Sequence, residues 1–331
     1  MHSQRTLSAI NFRDFTPDDY PRVAAIQNAN HPEEPVSISE LQAYDQNLDR
    51  SKYVLKRFMV LNEIGMTVGF GQIRHFLDMY HPKKFGISIL IDPSQYCKGI
   101  GTATYQKLME ELEKLDALVA WTWCMEHLQQ QQDFYQHRGF HELLRAWESR
   151  LDVGNTDMRK LQNYVQDALK QGISFTTLDE ELKRGASLRG LYELVQLIVA
   201  DMPRQGATFT PISYEQWQKL VFESPRLLPE GYIIAKDGDK YVGVSIVVKN
   251  ETEPNILSQD DTGVRREYRG RGIATALKIK VGEFAKKHGY DIIRTGNASS
   301  NTAMLAINRK LGFKKHTGWI FMEKILQTET R

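Results

Sequence analysis

The stretch Arg269-Gly270-Arg271-Gly272-Ile273-Ala274 joins two glycines and two arginines to the opening of an apolar helical pattern. A helix start presents several unpaired backbone N–H groups and the positive end of the helix dipole. Glycine lets a bulky anion come close to that backbone. A diphosphate is the natural guest of such a turn. No Gly-Lys-Ser/Thr closes the segment, so it is not a Walker loop, and its glycine spacing is not that of a Rossmann turn. A bare surface loop is one competing reading. An Arg-Gly-rich RNA-binding tract is a weaker one, because such tracts are long and disordered.

The segment resembles the Arg/Gln-x-x-Gly-x-Gly/Ala signature of the GNAT acetyltransferases, here Arg269, Gly272 and Ala274. A strand precedes it, and an Asn-rich helix ending Leu311-Gly312-Phe313 follows, as in that family. The resemblance covers essentially all of the second half of the chain and the first half in outline. The tandem arrangement is similar to two-domain members such as mycothiol synthase. The resemblance implies an α/β (α+β) fold of two GNAT-like domains, each a mixed, mostly antiparallel sheet flanked by helices. It implies acetyl-coenzyme A as co-substrate, with no metal. The backbone of Arg269, Gly270, Arg271, Gly272, Ile273 and Ala274, with Thr275, would hold the pyrophosphate, and Arg266 belongs to the same group. The strand around Val264 would pair with the pantetheine arm, the strand ending near Thr295 would splay from it, and Asn301 would approach the arm. Many members carry a Tyr four residues before the Gly-Phe glycine to protonate the leaving thiolate. The first half has Tyr135 there and the second has Asn308.

The implied reaction is N-acetyl transfer to an amine by direct attack on the thioester. A lysine-like amine has a pKa of about 10.4, so neutralising it at pH 7 costs about 4.6 kcal/mol. A carboxylate acting directly or through water is the usual answer. Asp260 and Asp261 stand just before the strand around Val264, and Glu267 lies closer to the glycine segment and is expected to face solvent. Asp261 is the candidate base, and the terminal carboxylate of Arg331 is a further one. The N–H of Val264 is placed to stabilise the carbonyl oxygen. Asn308 can hydrogen-bond but cannot act as an acid. His288 reads as a helix-end cation and His316 as a residue bordering the site, while Lys278 and Lys280 read as a solvated helix face. The alternative is a non-catalytic acyl-coenzyme A sensor or scaffold.

These residues sit in a chain that repeats itself. Lys98-Gly99-Ile100-Gly101-Thr102 and Arg271-Gly272-Ile273-Ala274-Thr275 are 173 residues apart, as are Gly139-Phe140 and Gly312-Phe313. Val68-Gly69-Phe70 and Val242-Gly243-Val244 are 174 apart. A duplicated domain follows, with bounds at 1–155 and 172–331 and a linking helix at 156–171. In the second unit the pattern predicts strands at 173–178, 232–235, 241–248 and 256–266. It predicts helices from Leu188, from Ile273 to a Gly289 cap, and at 300–311, then closing strands at 291–295 and 319–325. The first unit has Tyr96 and Cys97 where the second has Arg269 and Gly270. It is therefore expected to bind coenzyme A poorly or not at all, with Cys97 a small half-buried residue.

The 331 residues suit two domains, at 41% hydrophobic and 25% charged. A formal net charge of +2 disfavours a nucleic-acid partner. Two cysteines, Cys97 and Cys124, fit a reducing cytoplasm rather than a disulfide framework. The opening residues lack the apolar run of a signal peptide, and no segment has the roughly 18 apolar residues of a membrane span. The expected partner is a small-molecule or peptide amine, and the expected state a monomer or homodimer. The acceptor cleft is expected beside the aromatic stretch from Met202 to Pro229.

Overall fold

The computed structural model describes residues 10–204 and 207–328, so the carboxylate of Arg331 and most of the opening residues lie outside it. In chain order the elements begin with β1 (Asn11–Asp14), α1 (Tyr20–Asn30), α2 (Ile38–Asn47), β2 (Leu55–Leu61), β3 (Thr67–Arg74) and β4 (Lys84–Ile91). There follow α3 (Ile100–Lys114), β5 (Val119–Met125), α4 (Gln129–Gln136), β6 (His141–Asp152), α5 (Gln162–Lys170) and β7 (Ile173–Thr177). Next are α6 (Leu178–Lys183), α7 (Arg189–Ala200), α8 (Tyr214–Phe222), β8 (Tyr232–Asp237) and β9 (Lys240–Lys249). The chain closes with β10 (Ile256–Val264), α9 (Ile273–Lys287), β11 (Ile292–Ala298), α10 (Thr302–Leu311) and β12 (Lys314–Ile325).

Two compact units form, and neither is simply one half of the chain. The first comprises Met1–Cys124, Gln130–Leu143 and Phe321–Arg331; the second comprises Met125–Gln129 and Leu144–Ile320. In the first, β1 to β4 are antiparallel and β4 runs parallel to β5. The tail of β12 follows β5, with Trp121 Nε1 donating to Glu323 Oε2 at 2.9 Å. In the second, β7 to β10 are antiparallel, β10 runs parallel to β11, and residues 146–152 of β6 pair antiparallel with β11. Each unit thus takes a strand from the other half of the sequence, so residues 144–155, read as part of the first domain, cluster with the second.

Side-chain alternation along the second sheet builds a core on each face. Val247, Leu257, Ile293, Leu151 and Val264 face α9, whose Ile273, Leu277 and Val281 are buried against them. Val244, Ile246 and Tyr232 face α7 and α8, against Leu191, Leu194, Ile198 and Trp217. The aromatic residues Tyr192, Tyr214, Trp217 and Phe222 pack on one another there, with Trp217 buried, so this stretch is largely helix core. The segment expected to be a linking helix is α5, and it belongs to the core of the second unit through Val165 and Ala168. Two helices of the second unit are missing from the sequence reading: α6, opened by a capping box of Thr177 and Glu180, and α8, whose N-cap Ser213 accepts from Gln216 N.

Candidate active site

The glycine segment lies at the start of α9. Gly270 and Gly272 hold φ of +76° and +79°, a backbone that side chains disfavour, and no side chain caps the helix. A Cβ on Gly270 would meet nothing within 4 Å, whereas one on Gly272 would sit 3.0 Å from Tyr164 of α5. The side chains of Ile273 and Thr275 are buried, so the backbone is what this turn offers a guest. Arg271 donates from Nε to Gln171 Oε1 at 2.8 Å and lies over the Tyr268 ring. Arg266 and Arg269 both donate to Asp201, the C-cap of α7. Hydrogen bonds from Arg266 and then Arg269 hold the Asp201 carboxyl down at about 2, against the cost of its burial. Asp201 gave no signal in the sequence.

Beyond this turn the sheet parts. The pairing of β10 with β11 ends at Gln259↔Thr295, yet β10 runs on to Val264 and β11 to Ala298. The register of β10 on β9 shifts between Gln259 and Thr262, so Asp260 and Asp261 form a bulge at the parting point. The N–H of Arg265 donates to Val242 on β9 at 2.8 Å, and alternation turns the N–H of Val264 the other way, into the gap.

Asp261 shares the α7 side of the sheet with Gly263, which abuts Ile198. Asp260 is open to solvent but walled by surrounding protein. That desolvation pushes its carboxyl up against the pull of Arg226 and Arg294. Tyr232 is buried, and its hydroxyl has no hydrogen-bond partner. Burial, then the charges of Asp261 and Asp260, hold that hydroxyl well above its ordinary value.

On the opposite side, Asn308 is buried and donates from Nδ2 to Asn297 Oδ1 at 2.7 Å, while its own Oδ1 has no partner. Asn301 is the N-cap of α10, accepting from Met304 N at 3.2 Å. Lys278 is a correction: it is buried rather than a solvated face, because it points from α9 into the sheet. It donates to Gln259 Oε1 and lies over the Phe313 ring, and desolvation lowers its ammonium to about 7. Gln259 Nε2 donates to Ser245 Oγ at 2.8 Å, and Ser245 is hydrogen-bonded to Thr262 at 2.8 Å. This buried chain joins the two residues that bracket the bulge. Glu267 and His288 lie apart from the gap, paired with Lys240 and Glu230.

The first unit repeats the backbone and changes the chemistry. Gly99 also opens its helix at φ +79°, and Cys97 holds φ +61° where Gly270 stands in the second unit. Cys97 is exposed rather than half-buried. Strands β4 and β5 part after Gly86↔Trp121, but β4 pairs with β3 without a bulge. Tyr96 donates to Asn30 Oδ1 at 2.6 Å, and Asn30 Nδ2 donates to the Ile91 carbonyl at 2.9 Å. Ile91 stands 173 residues before Val264, so the strand carbonyl expected to meet a pantetheine arm already has a partner. Tyr135 is packed edge-on between Phe134 and Phe140, and burial raises its hydroxyl to about 12.

The sequence model of the Acetyltransferase (GNAT) family matches residues 20–140 and 191–313, more than half of the chain. N-acetylaspartate synthetase from Xenopus tropicalis is 37% identical over 79 residues, 24% of this chain and 28% of that protein. An uncharacterized N-acetyltransferase from Methanocaldococcus jannaschii is 28% identical over 102 residues, 29% of this chain and 45% of that protein. The chain therefore spans less than half the length of either. Among solved structures, a GCN5-related N-acetyltransferase from Sphaerobacter thermophilus superposes with a TM-score of 0.70 at 18% identity, covering 97% of both chains. A tandem GNAT protein from the clavulanic acid biosynthesis pathway does so with a TM-score of 0.70 at 18% identity, covering 97% of this chain and 100% of that one. These structures speak to the fold, a tandem of mixed α/β units. The parted strands, the glycine turn and the two matched segments agree: the chain belongs to the Acetyltransferase (GNAT) family.

Proposed function

We propose that the second unit transfers an acetyl group from acetyl-coenzyme A to the amine of an acceptor, and that the first unit does not bind the coenzyme. One observation carries this reading: in the second unit the uncapped glycine turn, the strand gap and the bulge lie on consecutive elements, whereas the first unit lacks the bulge and its gap carbonyl is occupied. The residues fit the coenzyme, since Gly270 is open on its side-chain face and the N–H groups from Gly270 to Ala274 stand at the positive end of α9. Bound there, acetyl-coenzyme A supplies the activated acetyl group. The N–H of Val264 donates to the thioester oxygen in the gap. Asp261 receives the acceptor's ammonium from the α7 side. Asn308 hydrogen-bonds near the sulfur without supplying a proton, which a thiol of ordinary acidity, with a pKa of about 8.5, tolerates.

The same Asn308 favours a second reading, a sensor that binds acyl-coenzyme A without turning it over. Thiol release from acetyl-coenzyme A with a panel of primary amines separates the two. Amine-dependent release above the buffer rate is expected. Saturable coenzyme binding with no release for any amine would favour the sensor.

A further inference from the structure

One wall of the gap carries a glycine that its backbone does not require. Gly296 lies on β11, one residue beyond the last pair with β10, Gln259↔Thr295, and it is exposed. Asp260, also exposed, is the first residue of β10 beyond that pair. The two therefore stand where the strands begin to part. Alternation from Ile293, which packs in the core under α9, turns Gly296 to the α7 side, the side of Asp261.

Glycine weakens a strand, and inside one it marks a bulge, a bend, or the close approach of a ligand or another backbone. Gly296 has no positive φ. Its register on β6 is unbroken from Ile292↔Asp152 to Ala298↔Ala146, so it marks no bulge. Among the described residues nothing lies within 4 Å of where its Cβ would be, so no neighbouring segment needs the room. Gly263 of β10 differs, because a Cβ there would meet Ile198 at 2.5 Å. The close approach of a ligand is what remains for Gly296.

The first unit supplies the comparison. Trp123 of β5 stands 173 residues before Gly296. Trp121 and Arg294, at the same spacing, both pair with the strand before them, on Gly86 and Ser258. Trp123 is 39% exposed and lies over the Phe321 ring of β12, with centroids 4.6 Å apart. The same strand position thus carries the largest side chain in one unit and none in the other. The fold accepts bulk here, and what Gly296 keeps is room on the acceptor side of the gap.

We propose that Gly296 sets the class of acceptor: the room beside it receives a substituent on the carbon that bears the amine. The acceptor is then an amine on a branched carbon, as in an amino acid or an amino sugar, and not the end of an unbranched chain such as a lysine side chain. This rests on the acetyl-transfer reading above. Gly296 selects by shape alone and takes no part in the chemistry.

The test compares Gly296→Val with the wild-type chain on ethylamine and cyclohexylamine, alkylamines of nearly equal basicity that differ in branching at the amine-bearing carbon. The wild-type chain should use cyclohexylamine at least as well as ethylamine. Added methyl groups in a pocket discriminate by about tenfold or more. In the variant, kcat/KM for cyclohexylamine should therefore fall at least about tenfold, kcat/KM for ethylamine should stay within about threefold, and acetyl-coenzyme A should bind unchanged. Valine suits an open strand position better than glycine, so the unfolding midpoint should hold or rise by about 2 °C. An equal loss with both amines, no loss with either, a wild-type preference for ethylamine, or a lower midpoint overturns the proposal. If the wild-type chain releases thiol with neither amine, the transfer reading fails, and Gly296 is then judged by binding alone. Cyclohexylammonium titrated with coenzyme A present should bind about tenfold more weakly to the variant, and equal binding, or none to either protein, overturns the assignment.

Discussion

Single side chains in this site have partners that expose their roles to test. Arg266 and Arg269, expected to meet phosphates, are paired with Asp201, so a coenzyme diphosphate must compete with that carboxylate. Asp201→Asn is therefore expected to tighten acetyl-coenzyme A binding by about threefold to tenfold at low salt, with the gain shrinking as salt screens the charges. Calorimetry at two ionic strengths checks it, and weaker binding would mean that Asp201 holds the arginines in their working positions instead. Lys278 offers a second test. Its folded value near 7 lies below the ordinary lysine value of 10.5, so the charged form is penalised by folding. That penalty is largest below pH 7 and fades as pH rises toward 10.5. Lys278→Met keeps the volume and removes the charge, so it should raise the unfolding midpoint at pH 6 by about 5 °C, and less at pH 9. It should also lower kcat by freeing the bulge. A fall in midpoint, with activity unchanged, would reverse this account of the buried network.

At the scale of elements, periodicity marked most of the second unit. The hairpin at Lys236-Asp237-Gly238-Asp239, the α9 end at Gly289 and the helix ending at Leu311 all carry local signals of turn, cap and apolar face. The bulge was also written in the chain, as the change from a 174-residue to a 173-residue offset between Gly69/Gly243 and Gly99/Gly272. From Gly243 to Val247 β9 takes four steps while its partners Val264 to Gln259 take five, whereas Gly69–Arg74 and Ile91–Gly86 take five each, and the bulge in β10 absorbs the difference. Strand exchange was not legible, because periodicity reports which face a strand buries and not which strand it joins. Asp201 and Lys278 were missed because their partners lie 65 or more and 19 residues away in sequence. The exchange has a direct consequence. A fragment of residues 172–331 lacks both α5 and the β6 strand that pairs along Ile292–Ala298. It should be unfolded or aggregated alone and recover acetyl-coenzyme A binding when coexpressed with residues 1–171. A folded lone fragment with full affinity would contradict the exchanged arrangement.

For the whole molecule, a duplicated fold has diverged between its two units at the glycine turn and at the strand that leads to it. Among the described residues no helix is long and apolar enough to cross a membrane, and no cluster of potential metal ligands occurs. Both units lean on ion pairs that depress carboxyl values to about 2, at Asp19 and Glu111 in the first and Asp201 in the second. Their contribution is complete above the ordinary carboxyl range and is lost as pH falls toward 2, so both units should lose stability on acidification below about pH 4. The central claim is that one unit of the two holds the coenzyme, through the turn at Gly270. Cys97 shows that the equivalent backbone accommodates a side chain, and Asn and Asp tolerate positive φ better than most residues. The measurement that tests this most directly is calorimetric titration of acetyl-coenzyme A into the wild-type chain, Gly270→Asn and Gly270→Asp. One site per chain is expected, with the Asn variant within a few-fold of wild type and the Asp variant weakened at least about tenfold by repulsion of the diphosphate. Two sites per chain, equal affinity in the two variants, or no wild-type binding at millimolar ligand would contradict it.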